Sequence, residues 1–386
     1  MKLSFICHEF PPIGGGASTA LDQFTHLLTE RGHAIQVVTI GLGLEDQEMC
    51  EASGRIVIRL GVGRKRILSP SHWELLRSTL ALRSRGCRLI QKFNPQVVIA
   101  FFAIPAGWVI RSQLAEFPQV VWLRGSDVPK FSRKRWGWLR FFQPWMFKKV
   151  LRQAPLVLAN GESLRRMAWA LLPNQSIIIL TNGVDLKKFY PHENKTQTGC
   201  LRILVVGQLI ARKRCLELLQ GVAYWAKERG GVARVTFVGE GPLKGALEAL
   251  SQEIKPAVEV NLVGFVSREE LPDLYRAHDL LAHLSQAEGV SNVLLEAMAS
   301  GLPILSTTSA VGEELANAPG IRILTLSQRV PETIGSALAE LDCDRQQLIW
   351  MGQQARQAVQ AFDWQQRAAT FEQLLGKILG DESSSL

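Results

Sequence analysis

Two glutamates, Glu288 and Glu296, stand eight positions apart in the stretch EGVSNVLLE, with no other charged residue between them. A strand pattern ends just before this stretch, and Ser291 or Asn292 can cap a following apolar helix. We therefore expect Glu288 on the turn and Glu296 about two turns into the helix. Carboxylates only accept hydrogen bonds, which suits them to the paired hydroxyl groups of a sugar or a ribose.

The start of this predicted helix offers free N–H groups and a positive dipole end, which favour an anion such as a diphosphate. Two carboxylates on either side of such a site would hold a nucleotide sugar at three points. Gly289 allows the backbone to approach the ligand closely. The alternative is that Glu296 is a solvated helix residue and Glu288 an ordinary turn acid.

Two further stretches could bind phosphate. In VVGQLIARKR (205–214), Lys213 could neutralise a diphosphate; a solvated helix start is the alternative. In HEFPPIGGGAS (8–18), successive glycines allow several backbone N–H groups to face an anion, and a flexible loop is the alternative. This loop lacks the G-x-G-x-x-G spacing, so a dinucleotide cofactor is not indicated.

A strand end at WLRGSDVP (122–129) carries Arg124 and Asp127. Both residues would lie at the carboxyl end of their strand, where such folds bind ligands. A role in ligand binding and a structural salt bridge between the two side chains both remain open.

Short runs of β-branched residues alternate with longer stretches of helical periodicity, and the pattern restarts after the polar stretch 191–199. This alternation indicates parallel sheets with helices on both faces. The predicted strands are 2–7, 34–40, 55–60, 96–102, 120–124, 156–160, 201–208, 235–241, 260–266, 279–285, 303–307 and 321–326.

The predicted fold class is therefore α/β, with two Rossmann-like doubly wound domains facing a central cleft. We expect a first domain at 1–190, a linker at 191–199 and a second domain at 200–362. We also expect a C-terminal helix at 363–380 that packs back on the first domain.

Composition excludes several classes of protein. The 386 residues are 47% hydrophobic and 20% charged, which is typical of a folded globular protein. The six cysteines form no CxxC pair, which favours reduced thiols in the cytoplasm over disulfides or a zinc site. The longest apolar run, 97–110, contains a proline and is too short to span a bilayer.

The net charge of +9 is uneven, because the stretch KFSRKRWGWLRFFQPWMFKK (130–149) combines basic and aromatic residues and contains no acid. This mixture suits the interface of an anionic membrane. A basic helix whose aromatic rings face its own core is the alternative. The candidate membrane-contact residues are Arg133, Lys134, Arg135, Trp136, Trp138, Lys148 and Lys149.

Taken together, these stretches resemble the retaining, nucleotide-sugar-dependent glycosyltransferases with the GT-B fold, of the group 1 or family four type. The resemblance runs along almost the whole chain. Its motifs occur in the family's order: FPPIGGGAS, the 158–191 segment with NGVD, LVVGQLIARKR, FVGEGPLK, LVGFVSREELPDLYRAHDLL and EGVSNVLLEAMASGLPIL. The last of these is the E-x7-E signature of the family.

Residue by residue, the resemblance implies that Glu288 lies beside the donor sugar, that Glu296 holds the ribose hydroxyls and that Lys213 contacts the diphosphate. It implies that loop glycines face the phosphates, and that the first domain binds the acceptor and the second the donor. The implied donor-binding residues are Gly15, Gly16, Gln208, Lys213, Glu288, Gly289, Val290, Ser291 and Glu296.

Two positions depart from the family pattern. Gln208 stands where the family usually has an arginine, and Arg124 stands where it often has a histidine. We hypothesise that Arg124 supplies positive charge near the leaving phosphate and so offsets Gln208. The candidate catalytic residues are therefore Glu288, Lys213 and Arg124.

The function that the resemblance implies is transfer of a hexose from a nucleoside diphosphate sugar, such as a UDP-sugar, to a hydroxyl acceptor. The acceptor would be a cell-envelope glycan or a lipid-linked saccharide. The implied reaction retains the anomeric configuration and needs neither metal nor cofactor. We expect a cytoplasmic enzyme, peripheral on the inner face of the membrane if the basic aromatic stretch binds lipid, without a nucleic acid partner.

Two other functions remain open. One is a nucleotide-sugar epimerase or a phosphorylase on a related fold, although no pyridoxal lysine site is evident in the sequence. The other is an inactive membrane-associated scaffold, which the departure at Gln208 keeps open.

Overall fold

A computed structural model describes residues 1–67, 70–129, 141–192, 199–286, 289–326 and 330–380. The chain divides into two compact units. The first contains Met1–Asn182 and the C-terminal segment from Trp364, and the second is Gly183–Asp363. The predicted linker, 191–199, lies largely outside the described residues.

The second unit begins at Gly183 because the next residues are held by that unit. Val184 forms a parallel bridge with Asp363 and donates its N–H to the carbonyl of Phe362 at 2.8 Å. Phe189 is fully buried and packs edge-on against Tyr275.

The first unit has an eight-stranded sheet. Its strands are β1 Lys2–Ile6, β2 Ala34–Gly41, β3 Gln47–Cys50, β4 Ile56–Gly61, β5 Val97–Phe101, β6 Gln119–Leu123, β7 Leu156–Ala159 and β8 Ile178–Ile179. Their order across the sheet is β3-β4-β2-β1-β5-β6-β7-β8, and β3 pairs antiparallel with β4 while the other pairs are parallel. The central strands β1, β5 and β6 consist mainly of apolar residues because helices cover both of their faces.

Helices cover both faces of this sheet. They are α1 Gly16–Glu30, α2 His72–Ala81, α3 Cys87–Phe93, α4 Trp108–Gln113, α5 Gln143–Gln153 and α6 Glu162–Trp169, with π-helical turns at Leu82–Gly86 and Ala103–Gly107. Helices α2 to α6 pack into the core on one face. On the other face, α1 packs with the last helix of the chain, Trp364–Leu379.

The second unit has a six-stranded, fully parallel sheet in the order β11-β10-β9-β12-β13-β14. The strands are β9 Leu201–Val206, β10 Ala233–Val238, β11 Val258–Gly264, β12 Leu280–His283, β13 Ile304–Thr307 and β14 Ile321–Leu324. The helices of this unit are α7 Cys215–Arg229, α8 Lys244–Glu253, α9 Leu271–Ala277, α10 Asn292–Ala299, α11 Thr308–Val311, α12 Val330–Cys343 and α13 Arg345–Val359. The last helix of the chain, α14 Trp364–Leu379, belongs to the first unit.

Each sheet has one point where the strand order reverses. In the first unit, β1 lies between β2 and β5, and in the second unit, β9 lies between β10 and β12. The chain connections on the two sides of such a point run to opposite sides of the sheet, which opens a crevice at the carboxyl ends of the adjacent strands. The residues that follow β1, β9 and β12 are therefore the ones placed to bind ligands. Within the described residues, no helix is long and apolar enough to cross a membrane.

Candidate functional site

In the second unit, a small recess lies at the carboxyl ends of β9 and β12. Its lining includes Gly207 and Gln208 after β9, Lys213 in the following turn, and His283 at the end of β12. The backbone of Gly207 has φ +139°, and a β-carbon built there would lie 3.8 Å from the Nζ of Lys213. The amine of Lys213 therefore lies close to the end of β9, and the backbone conformation at Gly207 favours glycine.

The loop that carries Lys213 is held by its own turn and by its neighbours. Residues Ala211–Lys213 form a 3-10 turn, and Arg214 takes a left-handed conformation before α7 begins. The carbonyl of Arg212 accepts the N–H of Gln286 at 2.9 Å, which ties this loop to the one after β12. The two loops predicted to bind a diphosphate are therefore adjacent.

The two glycines of the segment FVGEG (237–241) allow it to pack closely against the loop that follows β9. A β-carbon at Gly239 would lie 2.1 Å from the carbonyl oxygen of Gly207, and one at Gly241 would lie 2.3 Å from that of Leu209. No other residue type fits at these two positions without moving the backbone that carries Gln208 and Lys213.

The helix start predicted at Ser291 is α10. Ser291 occupies the N-cap position with an extended backbone, but its hydroxyl does not cap the helix, contrary to expectation. Val290 is buried in the core, so only its backbone can face a ligand, and Gly289 is partly exposed. Glu288 lies outside the described residues.

The side chain of Glu296 projects from α10 towards Tyr275 and Arg268, and only 7% of the residue is exposed. Its Oε2 accepts a hydrogen bond of 3.0 Å from the hydroxyl of Tyr275 on α9, and its Oε1 lies 3.7 Å from a terminal nitrogen of Arg268. Burial raises the pKa of Glu296, against the charge of Arg268, the hydrogen bond from Tyr275 and the charge of Lys188.

In the first unit, the glycine loop follows β1 and leads into α1. Gly14 has φ +101° and donates its N–H to the carbonyl of Ile67 at 3.0 Å. Gly15 and Gly16 are exposed at the start of α1, and a β-carbon at Gly15 would meet no atom within 4 Å. The predicted phosphate-facing glycines thus border open space at a helix N-terminus.

Arg124 is held by its own unit. Its guanidinium donates to the side-chain oxygen of Asn182 and stacks 4.4 Å from the ring of Phe101. Burial, opposed by the charge of Asp127, lowers the pKa of Arg124 to about 9, so the side chain is still mainly protonated at neutral pH.

The Asp127 carboxylate takes different partners, namely the backbone N–H groups of Ala103, Arg124 and Gly125. The side chains of Arg124 and Asp127 therefore bind other groups and do not form the salt bridge that the sequence left open.

Family comparisons cover both units. Residues 14–188 match the family described as Glycosyltransferase Family 4, and residues 200–344 match the family described as Glycosyl transferases group 1. The two matched segments together span most of the chain. The protein belongs to the group 1 glycosyltransferases.

This group 1 glycosyltransferase is similar to glycosyltransferases of other organisms. It is 26% identical to the GDP-mannose-dependent alpha-(1-6)-phosphatidylinositol monomannoside mannosyltransferase of Mycobacterium tuberculosis, over 97% of this chain and 98% of that protein. It is 27% identical to TuaC of Bacillus subtilis, a glycosyltransferase named for teichuronic acid biosynthesis, over 55% of this chain. That second match spans about half the length of TuaC, 53%.

Solved structures show the same fold. Sucrose-phosphate synthase from Thermosynechococcus elongatus aligns with a TM-score of 0.80 at 18% identity, covering 98% of this chain and 99% of that one. Anabaena HepE, solved with UDP-glucose, aligns with a TM-score of 0.73 at 18% identity, covering 98% and 100%. The predicted α/β fold class, GT-B with two Rossmann-like domains, is confirmed.

The predicted membrane contacts are only partly described. Arg133, Lys134, Arg135, Trp136 and Trp138 lie outside the described residues. Lys148 and Lys149 lie on α5 of the glycosyltransferase, and the Nζ of Lys149 is 4.4 Å from the ring centre of Trp145. Phe141, Phe142 and Trp145 are exposed.

Some residues of the site were not expected from the sequence. Tyr275 and Arg268 surround Glu296, and the buried Arg64 supports the glycine loop through the carbonyls of His8 and Ile67. A tyrosine on the apolar face of a helix needs a partner for its hydroxyl, which was the available signal for Tyr275. Arg64 stands in a run of basic residues, where nothing in the sequence marks it as the buried one.

Proposed function

We propose that this glycosyltransferase transfers a hexose from a nucleoside diphosphate sugar to a hydroxyl group of a cell-envelope or lipid-linked saccharide. The observation that carries the proposal is the recess of the second unit, where Lys213 and the loop before α10 are joined through Arg212 and Gln286. Positive charge beside a helix start suits a diphosphate. HepE was solved with UDP-glucose, and the Mycobacterium tuberculosis relative is named as GDP-mannose-dependent.

In the proposed reaction, the bond between the anomeric carbon and the diphosphate oxygen breaks, and a bond to the acceptor oxygen forms on the same face. The acceptor proton passes to the departing diphosphate. Lys213 and the N–H groups at the start of α10 stabilise the developing charge on the leaving group. Glu288 would lie beside the donor sugar and Glu296 beside the ribose, with Gly289, Val290 and Ser291 contributing backbone groups.

The proposal also includes retention of configuration and independence of metal ions and cofactors. The cationic lysine and the helix start would supply the stabilisation that a metal supplies in other transferases. Arg124, charged at neutral pH, remains the predicted second cation for the leaving phosphate, where Gln208 offers none.

Titration calorimetry with UDP, GDP and ADP, followed by turnover of a panel of nucleotide sugars, tests this function. We expect Lys213→Ala to weaken nucleotide binding by about 10- to 100-fold, because a charged hydrogen bond to phosphate is lost. Lys227→Ala is the matched control, since Lys227 is an exposed lysine in the last turn of α7 of the same unit. Glu288→Gln and Arg124→Ala should reduce turnover.

The remaining outcomes separate the alternatives. Unchanged turnover with a chelator and a product of retained anomeric configuration by NMR support the proposed chemistry. Nucleotide-sugar isomerisation without transfer would indicate an epimerase, phosphate-dependent cleavage would indicate a phosphorylase, and nucleotide binding without turnover would indicate a scaffold. Absence of binding by all three nucleotides would contradict the proposal.

A second part of the proposal is peripheral attachment of the first unit to an anionic membrane, on the cytoplasmic side. Trp73, Leu76 and Leu80 of α2 recur at helical spacing and are exposed, Trp73 by 74%. Between residues 65 and 92 there are seven Lys or Arg and a single acid, Glu74, whose carboxylate already binds backbone N–H groups. An apolar stripe with a basic surround suits a lipid interface. Trp145, Lys148 and Lys149 on α5 are a second group of aromatic and basic residues in the same unit.

A further inference from the structure

The carboxylate of Glu296 has a different partner on each oxygen. The hydroxyl of Tyr275 donates to Oε2, and the guanidinium of Arg268 faces Oε1 at 3.7 Å. Burial, with the charge and the hydrogen-bond acceptance of Glu296, raises the pKa of Tyr275 well above its usual range, so the hydroxyl keeps its proton and donates. The orientation of the carboxylate is therefore set from both sides.

Both partners are themselves held in place. Arg268 lies in a turn that is fixed by Ser267, whose N–H and hydroxyl both donate to the carboxylate of Glu270. Tyr275 is fully buried, and its ring packs edge-on against Phe189. If the carboxylate of Glu296 moved, Arg268 and Tyr275 would stay in place and these two contacts would be lost.

Arg268 acts on Glu296 mainly through its charge. Among the described residues, its two terminal nitrogens are buried and make no hydrogen bond, although one of them faces the carboxylate at 3.7 Å. The described charged and titratable groups that act on Glu296 are Arg268 in the turn before α9, Tyr275 on α9 and Lys188 in the segment before β9. Without Arg268, the burial of Glu296 would be opposed only by the other two.

We propose that Arg268 and Tyr275 are positioning residues that keep Glu296 ionised and oriented to accept the ribose hydroxyls of the donor nucleotide. This inference rests on the proposed function, because the nucleotide supplies the ribose. An ionised carboxylate accepts two hydroxyl groups on defined sides, whereas a protonated one loses part of that capacity and must itself donate. Donor affinity therefore depends on two residues that do not touch the donor.

The first test is a ¹³C NMR titration of Glu296 in the ligand-free protein, with the signal assigned by Glu296→Gln. We expect Arg268→Gln to raise the titration midpoint of Glu296 by about one pH unit or more, because an opposite charge is lost. Tyr275→Phe should raise the midpoint as well. Arg268→Lys keeps the positive charge and should leave the midpoint close to that of the wild type. Arg322→Gln is the matched control, since Arg322 pairs with Glu340 at the surface of the same unit. An unchanged midpoint in Arg268→Gln would overturn the inference.

The second test measures the affinity for UDP and GDP as a function of pH. For Arg268→Gln we expect near wild-type affinity at alkaline pH. At the acid end we expect a loss of about tenfold, because a midpoint raised by about one pH unit leaves about a tenth as much of the carboxylate ionised there. KM for the donor should change and kcat should not, and Glu296→Gln should bind weakly with this pH dependence removed. A variant that only loosened the fold would lose affinity equally at every pH, which would contradict the inference.

The two tests separate this inference from the proposed function. If the midpoint moves but nucleotide affinity does not follow it, the positioning effect stands and the ribose contact of Glu296 is wrong. If the wild-type protein binds neither nucleotide, the proposed function is wrong, and the NMR titration alone decides whether Arg268 and Tyr275 control Glu296.

Discussion

The guanidinium of Arg64 donates a hydrogen bond of 2.9 Å to the carbonyl oxygen of His8, and only 2% of the arginine is exposed. A second nitrogen of the same group donates to the carbonyl of Ile67, which also accepts the N–H of Gly14. The arginine therefore connects the end of β1 with the segment that holds the glycine loop.

We expect Arg64→Ala to lower the free energy of unfolding by about 3 kcal/mol, because buried carbonyl groups lose a charged donor. Urea unfolding of the purified protein measures the change. Arg66→Ala is the control, since the side chain of Arg66 is exposed, and it should change the stability by less than about 0.5 kcal/mol. Equal losses in the two variants would show that Arg64 does not hold the loop.

Glu74 should make the stability of the first unit depend on acid pH. Slight burial by itself would raise the pKa of Glu74, but hydrogen bonds from Ser71, Lys65 and Arg66 outweigh it and lower the pKa to about 2. Because the folded-state pKa is depressed, the stabilisation is complete above the ordinary value and is lost as the pH falls towards about 2.

Glu74→Ala should therefore cost about 1 kcal/mol at neutral pH, the usual contribution of a capping box, and less as the medium is acidified. Unfolding curves at several pH values measure the difference from wild type. Glu332→Ala is the control, because Glu332 is an acid in the first turn of α12. It should cost less than Glu74→Ala, since Glu332 interacts, among the described residues, only with the helix dipole. A cost of Glu74→Ala that stayed constant down to strongly acid pH would refute the assignment.

Gly239 and Gly245 should respond in opposite ways to alanine. A β-carbon at Gly239 would lie 2.1 Å from the carbonyl oxygen of Gly207, and the backbone has φ +131°. We expect Gly239→Ala to destabilise the second unit by about 2 kcal/mol or more and to weaken nucleotide binding, because the loop with Gln208 must move.

Gly245 lies in α8 with open space around its Cα, so Gly245→Ala should stabilise the protein by up to about 1 kcal/mol. Thermal unfolding and nucleotide calorimetry compare the two variants. Normal nucleotide affinity in Gly239→Ala would mean that the loop adapts to the methyl group.

The membrane proposal predicts that the exposed side chains of α2 control binding to lipid vesicles. We expect the wild-type protein to co-sediment with vesicles that contain phosphatidylglycerol at low salt, and much less at high salt. The double variant Trp73→Ser, Leu76→Ser should bind at least about tenfold more weakly, because it loses two apolar groups that would be buried in the interface.

Two further variants complete the vesicle experiment. Trp350→Ser on α13 is the matched control, since Trp350 is also an exposed tryptophan, by 53%, and it should bind as wild type does. Lys148→Ala with Lys149→Ala should weaken binding mainly at low salt. Wild-type protein that stays in the supernatant at low salt would end the proposal.

Much of the fold was predictable because most of its strands are covered on both faces and their sequences are therefore mainly apolar. The run 201–208 became β9, and the helix expected at 363–380 is α14. Strand β3 gave no such signal, because QEMC is exposed along its length and lies at the sheet edge. Helix α1 begins at Gly16, within the glycine stretch, because the loop leads directly into the helix.

The loops of the candidate site could also be located from the sequence, because the carboxyl ends of parallel strands meet at one edge of a sheet. The contacts of single side chains could not. Glu296 and Tyr275 are 21 residues apart, and their hydrogen bond depends on how α9 and α10 pack. The partner of Arg124 was also not foreseen, since Asn182 lies 58 residues away and reaches it only through the order of β6, β7 and β8.

The position of α14 has a consequence for protein synthesis. Its Trp364 and Phe371 complete an aromatic cluster with Phe24 and Trp122, on the face of the first sheet that α1 shares. These rings stay uncovered while the ribosome makes the second unit, whose own core needs no later residue. The half of the protein that is translated first can therefore finish folding only after the half that is translated second, and in that interval its apolar face is open to wrong contacts.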